Sequence, residues 1–153
     1  PAVLDFICKK ENIDVTEMVN ILNKKSGLLG LSKGLSSDFR DLNEAREQGN
    51  EDAKRAVDCL CYRIIKYIGS YVAAMNGVDA IAFTGGIGEN AIPVREAVVK
   101  SLGYLGITLD EEANQTRGEN KIISTPDSKV TVAIVPTNEE LAICQETAEL
   151  VSK

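Results

Sequence analysis

The stretch Ile81-Ala82-Phe83-Thr84-Gly85-Gly86-Ile87-Gly88-Glu89-Asn90 constrains this chain more than any other, because an apolar run breaks there into three glycines before helical spacing resumes. Asp79 to Thr84 has the length and apolar character of a strand buried on both faces, and residues 93 to 102 carry the three-and-four spacing of a helix. The glycines therefore fall at a strand-to-helix corner. At such a corner, bare backbone N–H groups and the positive end of the helix dipole face an anion, and glycine lets a ligand approach closely. A plain tight turn satisfies the same pattern, so the corner alone leaves phosphate binding and simple chain reversal both open.

A chain of 153 residues is long enough for one domain with a core, or for one lobe of something larger. With 44% hydrophobic and 26% charged residues and four prolines, it has the composition of a globular protein without a disordered tail. No apolar run approaches a membrane span and no secretory leader is visible, so the expectation is a cytoplasmic protein with no membrane partner. The net charge of −6 is spread along the chain with no basic block, which argues against nucleic acid as a partner. Cys8, Cys59, Cys61 and Cys144 form no C-x-x-C pair, and Cys59 and Cys144 fall inside helical patterns, which predicts buried, reduced thiols. Histidine is absent, which excludes Ser-His or Cys-His catalysis and any His-ligated metal within these residues. The chain opens at Pro1 directly on an apolar stretch, the look of a cut chain.

Residues 1 to 10 fit a short helix, and Val15 to Lys24 a second one with Asp14 as N-cap. Lys24-Lys25-Ser26-Gly27 is not a Walker A loop, since no glycine precedes the lysines at the required distance and no strand leads in. Residues 28 to 34 read as an apolar, glycine-interrupted connection. Ser37 or Asp38 caps a helix running to about Gln48 and closed by Gly49; alternatively Asp38 and Arg40 face a ligand from its start. Asn50 opens the longest helix, whose Ala53, Val57, Leu60, Cys61, Ile64, Ile68, Tyr71, Val72 and Met75 predict one continuous buried stripe ending near Gly77.

Beyond the glycine corner, Asp110 to Arg117 reads as a short helix, and Lys121 to Thr125 and Val130 to Val135 as two strands joined through Pro126-Asp127-Ser128-Lys129. The last strand enters Pro136-Thr137-Asn138-Glu139-Glu140-Leu141 and a final helix to about Val151. Thr137 with Glu140 three residues on is a capping-box pattern, which gives Glu140 a structural role. Glu139 is left at the mouth of a second corner, either as a solvated first-turn acid or as a carboxylate for Mg²⁺.

In an open α/β sheet ligands bind at the carboxyl ends of strands, so the two corners are candidates for one shared crevice. Phe83-Thr84-Gly85-Gly86-Ile87-Gly88-Glu89-Asn90 with Val94-Arg95-Glu96, then Pro136-Thr137-Asn138-Glu139-Glu140-Leu141, and before them Asn23-Lys24-Lys25-Ser26-Gly27-Leu28 and Ser36-Ser37-Asp38-Phe39-Arg40-Asp41, closely resemble the C-terminal part of the acetokinase family. The resemblance covers essentially the whole chain. It implies an α/β fold, part of a ribonuclease H-like (actin-like ATPase) domain with a helical insertion, whose sheet is incomplete because three more strands precede residue 1 in the family. Residues 1 to 77 would form a mainly helical subdomain and residues 78 to 153 the α/β part.

What the resemblance implies for chemistry is transfer of the ATP γ-phosphoryl to acetate, giving acetyl phosphate and ADP, reversibly and with Mg²⁺, in a homodimeric enzyme. Such transfer needs positioning and charge neutralisation more than a covalent nucleophile. By resemblance, Gly86, Ile87, Gly88, Glu89 and Asn90 line the nucleotide pocket, Asp38, Phe39 and Arg40 form the adenine- and ribose-side segment, and Glu139 binds Mg²⁺. The family's catalytic histidine, transition-state arginines and acetate pocket lie upstream, so these residues alone are expected to be inactive.

Two rivals share the sequence. Gly86-Ile87-Gly88-Glu89-Asn90-Ala91 satisfies G-x-G-x-x-A, with Asp110 roughly 20 residues further on as a dinucleotide-binding unit requires, yet a long helical stretch precedes it where such a unit begins on its first strand. A non-enzymatic nucleotide sensor is the other. Within the family, propionate and butyrate kinases stay open.

Overall fold

The computed structural model describes residues 2–152. Packing divides the chain inside its longest helix into two units, Pro1–Arg63 and Ile64–Lys153, each described by itself.

The first unit is helical. Helix α1 spans Ala2–Glu11, α2 Val15–Lys24, α3 Gly27–Leu31, α4 Phe39–Glu47, and α5 Glu51–Met75 runs across the division. Pro1, expected in the first turn of α1, lies outside the described residues. Sequence caps are used as predicted: the Asp14 carboxylate accepts the Glu17 N–H at 2.7 Å, and Asn50 Oδ1 accepts those of Asp52 and Ala53 at 3.0 and 2.9 Å. Each satisfies a first-turn donor that the helix itself leaves orphaned. Met18, Leu42, Ala53, Ala56, Val57 and Cys61 are buried. The expected connection at 28–34 contains α3 instead, tied by the Arg55 guanidinium, which donates to the Leu31 carbonyl at 2.9 and 3.2 Å.

The second unit is α/β. Strand β1, Ala80–Phe83, is followed by α6, Gly85–Asn90, and α7, Ile92–Lys100; β2, Lys121–Ile122, and β3, Thr131–Ile134, lead to α8, Glu139–Val151. The strands form a mixed sheet of order β1-β3-β2, with β1 parallel to β3 in the register Phe83↔Ile134, and β2 antiparallel to β3. The turn at 126–129 thus joins antiparallel neighbours, as predicted. Val94, Val98, Val99 and Leu102 from α7 and its C-terminal extension share the core with Ile123, Val132 and Ile134.

Several expectations change. β1 is not buried on both faces: it stands at an edge of the sheet, with Phe83 buried but Ala80 and Ala82 exposed. The stripe of α5 is buried only at Ala53, Val57 and Cys61, while Tyr71 and Met75 are 61% and 62% exposed. Helical periodicity identifies an apolar face; it does not supply the neighbour that covers it. Cys144 is exposed, and of the thiols only Cys61 is buried, where desolvation raises its pKa. The helix expected at 110–117 shrinks to a 3₁₀ turn, Ala113–Gln115, with the Asp110 carboxylate accepting the Ala113 N–H at 2.9 Å. That employs Asp110 locally and removes the acid the dinucleotide reading needed.

Candidate functional site

Because β1 and β3 are parallel and in register at Phe83 and Ile134, their carboxyl ends are neighbours, and the Val135 N–H donates to the Phe83 carbonyl at 2.9 Å. Both helix-forming corners, Thr84 into α6 and Val135–Asn138 into α8, leave the sheet at that one end. Sequence order alone placed them 50 residues apart; parallel pairing brings them together, at the position where open α/β sheets bind ligands.

The three glycines of the first corner have different reasons to be glycine. Gly85 sits at φ +68°, where a side chain is strained. Gly88 packs against the end of β1, so that a Cβ there would lie 3.1 Å from the Phe83 carbonyl carbon. At Gly86 an added Cβ would meet no atom within 4 Å. Gly85 and Gly86 both border open space, and Gly86 has neither a positive φ nor a close neighbour to require glycine, which leaves room for a close-approaching ligand. Thr84, the N-cap of α6, is extended and makes no side-chain cap bond, so no side chain claims the N–H groups of the first turn. Asn90 Nδ2 donates back to the Gly86 carbonyl at 3.1 Å.

Beneath this corner lies Arg95, fully buried and without a carboxylate partner among the described residues. Its guanidinium donates to the carbonyls of Gly88, Glu89, Asn114 and Thr116 and to Asn114 Oδ1, all between 2.7 and 2.9 Å. Desolvation, followed by repulsion from Arg117, lowers its pKa, yet a guanidinium stays charged in a protein. The carbonyls at the end of α6 supply the partial negative charge that offsets it. Sequence reasoning missed this role although the signal was present: with Val94, Val98, Val99 and Leu102, Arg95 occupies the apolar face of α7.

The second corner differs from the expected capping box. Asn138, not Thr137, caps α8, its Oδ1 accepting the Leu141 N–H at 3.0 Å. Thr137 instead donates its backbone N–H and its hydroxyl to Glu89 Oε1 at 3.0 and 3.3 Å. A nearby carboxylate outcompeted the residue's own helix end, and Glu140 loses its expected partner. Glu139 is exposed at the first position of α8, where its negative charge suits the helix dipole. Among the described residues no three His, Cys, Asp or Glu side chains gather into a cation cage. A single open carboxylate fits Mg²⁺, which keeps several waters and takes one or two carboxylates plus substrate phosphates; it does not fit a cation held by protein alone.

Asp38, Phe39 and Arg40 belong to the first unit. Asp38 is the N-cap of α4, accepting the Arg40 N–H at 2.8 Å, and also pairs with the Arg40 guanidinium at 2.6 Å. These side-chain and backbone bonds from Arg40 lower its pKa to about 2.

Neighbouring parallel strands that each turn into a helix at their carboxyl ends, one through glycine, define an α/β protein with a candidate anion site at the sheet end. Residues 1–145 match the Acetokinase family, and the chain belongs to it. The acetate kinases of Lachnoclostridium phytofermentans and Agathobacter rectalis are 58% and 59% identical over 151 and 152 residues, in each case 99% of this chain and 38% of the relative. The crystal structure of Porphyromonas gingivalis acetate kinase superposes with TM-score 0.90 at 45% identity over 99% of this chain and 38% of that one. A propionate kinase from Francisella tularensis gives TM-score 0.85 at 37% identity, over 95% of this chain and 37% of that one. The chain thus spans little more than a third of the length of these relatives. No helix among the described residues is long and apolar enough to cross a membrane.

Proposed function

We propose that this chain is the nucleotide-side, C-terminal part of an acetate kinase, within a ribonuclease H-like domain carrying a helical insertion. The parent enzyme transfers the ATP γ-phosphoryl to acetate, giving acetyl phosphate and ADP, reversibly, as a cytoplasmic homodimer. The observation that carries the reading is the convergence of two corners at one sheet end, an uncapped glycine turn beside an open carboxylate, in a chain 58% identical to an acetate kinase. In the second unit Gly86, Ile87, Gly88 and Asn90 line the nucleotide phosphates and Glu139 holds Mg²⁺, which neutralises phosphate charge when bound; Asp38, Phe39 and Arg40 of the first unit are, by family resemblance, a nucleotide-side segment. Glu89, expected among the nucleotide contacts, has its carboxylate engaged by Thr137. The likeness to a propionate kinase keeps a longer acyl acceptor as the second reading.

Calorimetric titration of the 153-residue chain with ADP, with and without Mg²⁺, tests the proposal. Binding that Mg²⁺ strengthens, and that becomes insensitive to Mg²⁺ in Glu139→Ala, supports it; a folded chain that binds no ADP overturns the site. The histidine-free chain is expected to form no acetyl phosphate above background, and formation would refute its inactivity.

A further inference from the structure

We infer that Glu89 is a positioning residue that couples the carboxylate corner to the glycine corner, rather than a nucleotide contact; the inference rests on the nucleotide-binding reading above. Glu89 is held at both ends. Its backbone carbonyl accepts Arg95 Nη1 at 2.9 Å and the Gly118 N–H at 3.3 Å. Its carboxylate reaches 48 positions along the chain to accept both donors of Thr137. Both bonds go to the same oxygen, Oε1, the backbone N–H at 3.0 Å and the hydroxyl at 3.3 Å.

Thr137 stands two residues before Glu139, with only the capping residue Asn138 between them. The tie therefore fixes where α8 starts relative to the last turn of α6. It also keeps a negative side chain turned to N–H and O–H donors at a corner proposed to receive phosphate, where a free carboxylate would repel the ligand. Beyond the direct contact of Mg²⁺ with substrate phosphate, the protein adds to the coupling of two ligands when the elements that hold them are tied to one another. Glu89 supplies that link: phosphate at Gly86 and Mg²⁺ at Glu139 report to one another through Glu89 and Thr137, anchored from below by Arg95.

The test compares ADP affinity of the 153-residue chain in chelator and in Mg²⁺ for the wild type, Glu89→Ala, Glu89→Gln and Thr137→Val, with amide exchange at Thr137 to Leu141 as a ligand-free readout. In the wild type Mg²⁺ strengthens ADP binding by about fivefold or more, the low end of ordinary coupling. Glu89→Ala lowers that ratio by about twofold or more while Mg²⁺-free affinity stays within about twofold, and exchange at Thr137 accelerates. Glu89→Gln keeps an acceptor oxygen and retains most of the ratio; Thr137→Val, lacking only the hydroxyl bond, falls between. Equal loss of affinity with and without Mg²⁺ in Glu89→Ala, or an unchanged ratio, overturns the inference, because a nucleotide contact or general unfolding gives the first and a redundant tie the second. A wild-type chain that binds no ADP overturns the nucleotide reading and the coupling with it, and is told apart by exchange at Thr137, which still slows wherever Glu89 holds it.

Discussion

Gly88 rests on the backbone of Phe83, tightly enough that a Cβ would stand 3.1 Å from the carbonyl carbon, closer than ordinary van der Waals contact, and 3.4 Å from Cα. Two positions earlier, Gly86 faces open space. The same two substitutions should therefore separate packing from binding. Gly88→Ala makes α6 or the strand backbone yield by a few tenths of an ångström and is expected to destabilise by about 1–3 kcal/mol, as overpacking does. Gly86→Ala removes a helical glycine without a clash, which is expected to raise thermal stability by up to about 1 kcal/mol. Its methyl group nevertheless intrudes on the proposed phosphate, weakening ADP binding by about tenfold, or 1.4 kcal/mol. Melting curves beside calorimetry check both; a Gly86→Ala chain with wild-type affinity would place the ligand elsewhere.

Arg95 should be irreplaceable for stability. In Arg95→Met the carbonyls of Gly88, Asn114 and Thr116 lose the guanidinium donor while that of Glu89 keeps only the Gly118 N–H, and each acceptor left without a partner costs about 1–3 kcal/mol, so a total loss above about 3 kcal/mol is expected in urea unfolding. Arg95→Lys is expected to recover little, because an ammonium lacks the planar fork that reaches both sides.

The cap of α4 should respond to acid. The Asp38 carboxyl is held at about 2, below its ordinary 3.8, first by its bond from the Arg40 side chain. A depressed folded-state pKa adds stability above the ordinary value and loses it as pH falls through the folded one, so α4 should fray between about pH 4 and pH 2. Asp38→Asn keeps a capping oxygen and abolishes the titration. Because Arg40 is 88% exposed, high salt should move the Asp38 midpoint upward toward 3.8 in a carboxyl NMR titration. A midpoint already at the ordinary value in low salt would show that the pair does not form.

Stability should be unevenly distributed in the second unit. Val132 and Ile134 are buried at 0% and 1% exposure, whereas in α8 Ile143 and Leu150 stand 65% and 72% exposed. Amides of β3 are expected to exchange far more slowly than those of α8. Ile134→Ala should cost about 2–5 kcal/mol. Leu150→Ser should stay within about 0.5 kcal/mol. A large effect of Leu150→Ser would mean that α8 packs in solution.

Local chemistry was legible in the sequence. Asp14, Asp38 and Asn50 cap the helices they precede, Gly49 takes the left-handed backbone that ends α4, Gly77 lies just past the end of α5 behind a left-handed Asn76, and the strands at 80–83 and 131–134 and the helix after 92 stand where the sequence predicts. These features depend on a few neighbouring residues, and the energies involved are those of the first and last turns. The acetokinase resemblance likewise required only local motifs in order.

What the sequence left undecided depends on residues distant in the chain. Whether Thr137 caps its own helix or donates to Glu89 is a competition between neighbours and a partner 48 residues away, which only parallel pairing of β1 with β3 brings within reach. Whether the apolar faces of α5 and α8 are core depends on what lies against them, and an amphipathic repeat carries no record of that. The order of residues determined most of the elements, the caps of α2, α4 and α5, and the family. Tertiary structure decided which glycine meets protein and which meets space, why an arginine is buried, and how two corners become one candidate site, because each of these is a contact between segments that the sequence separates.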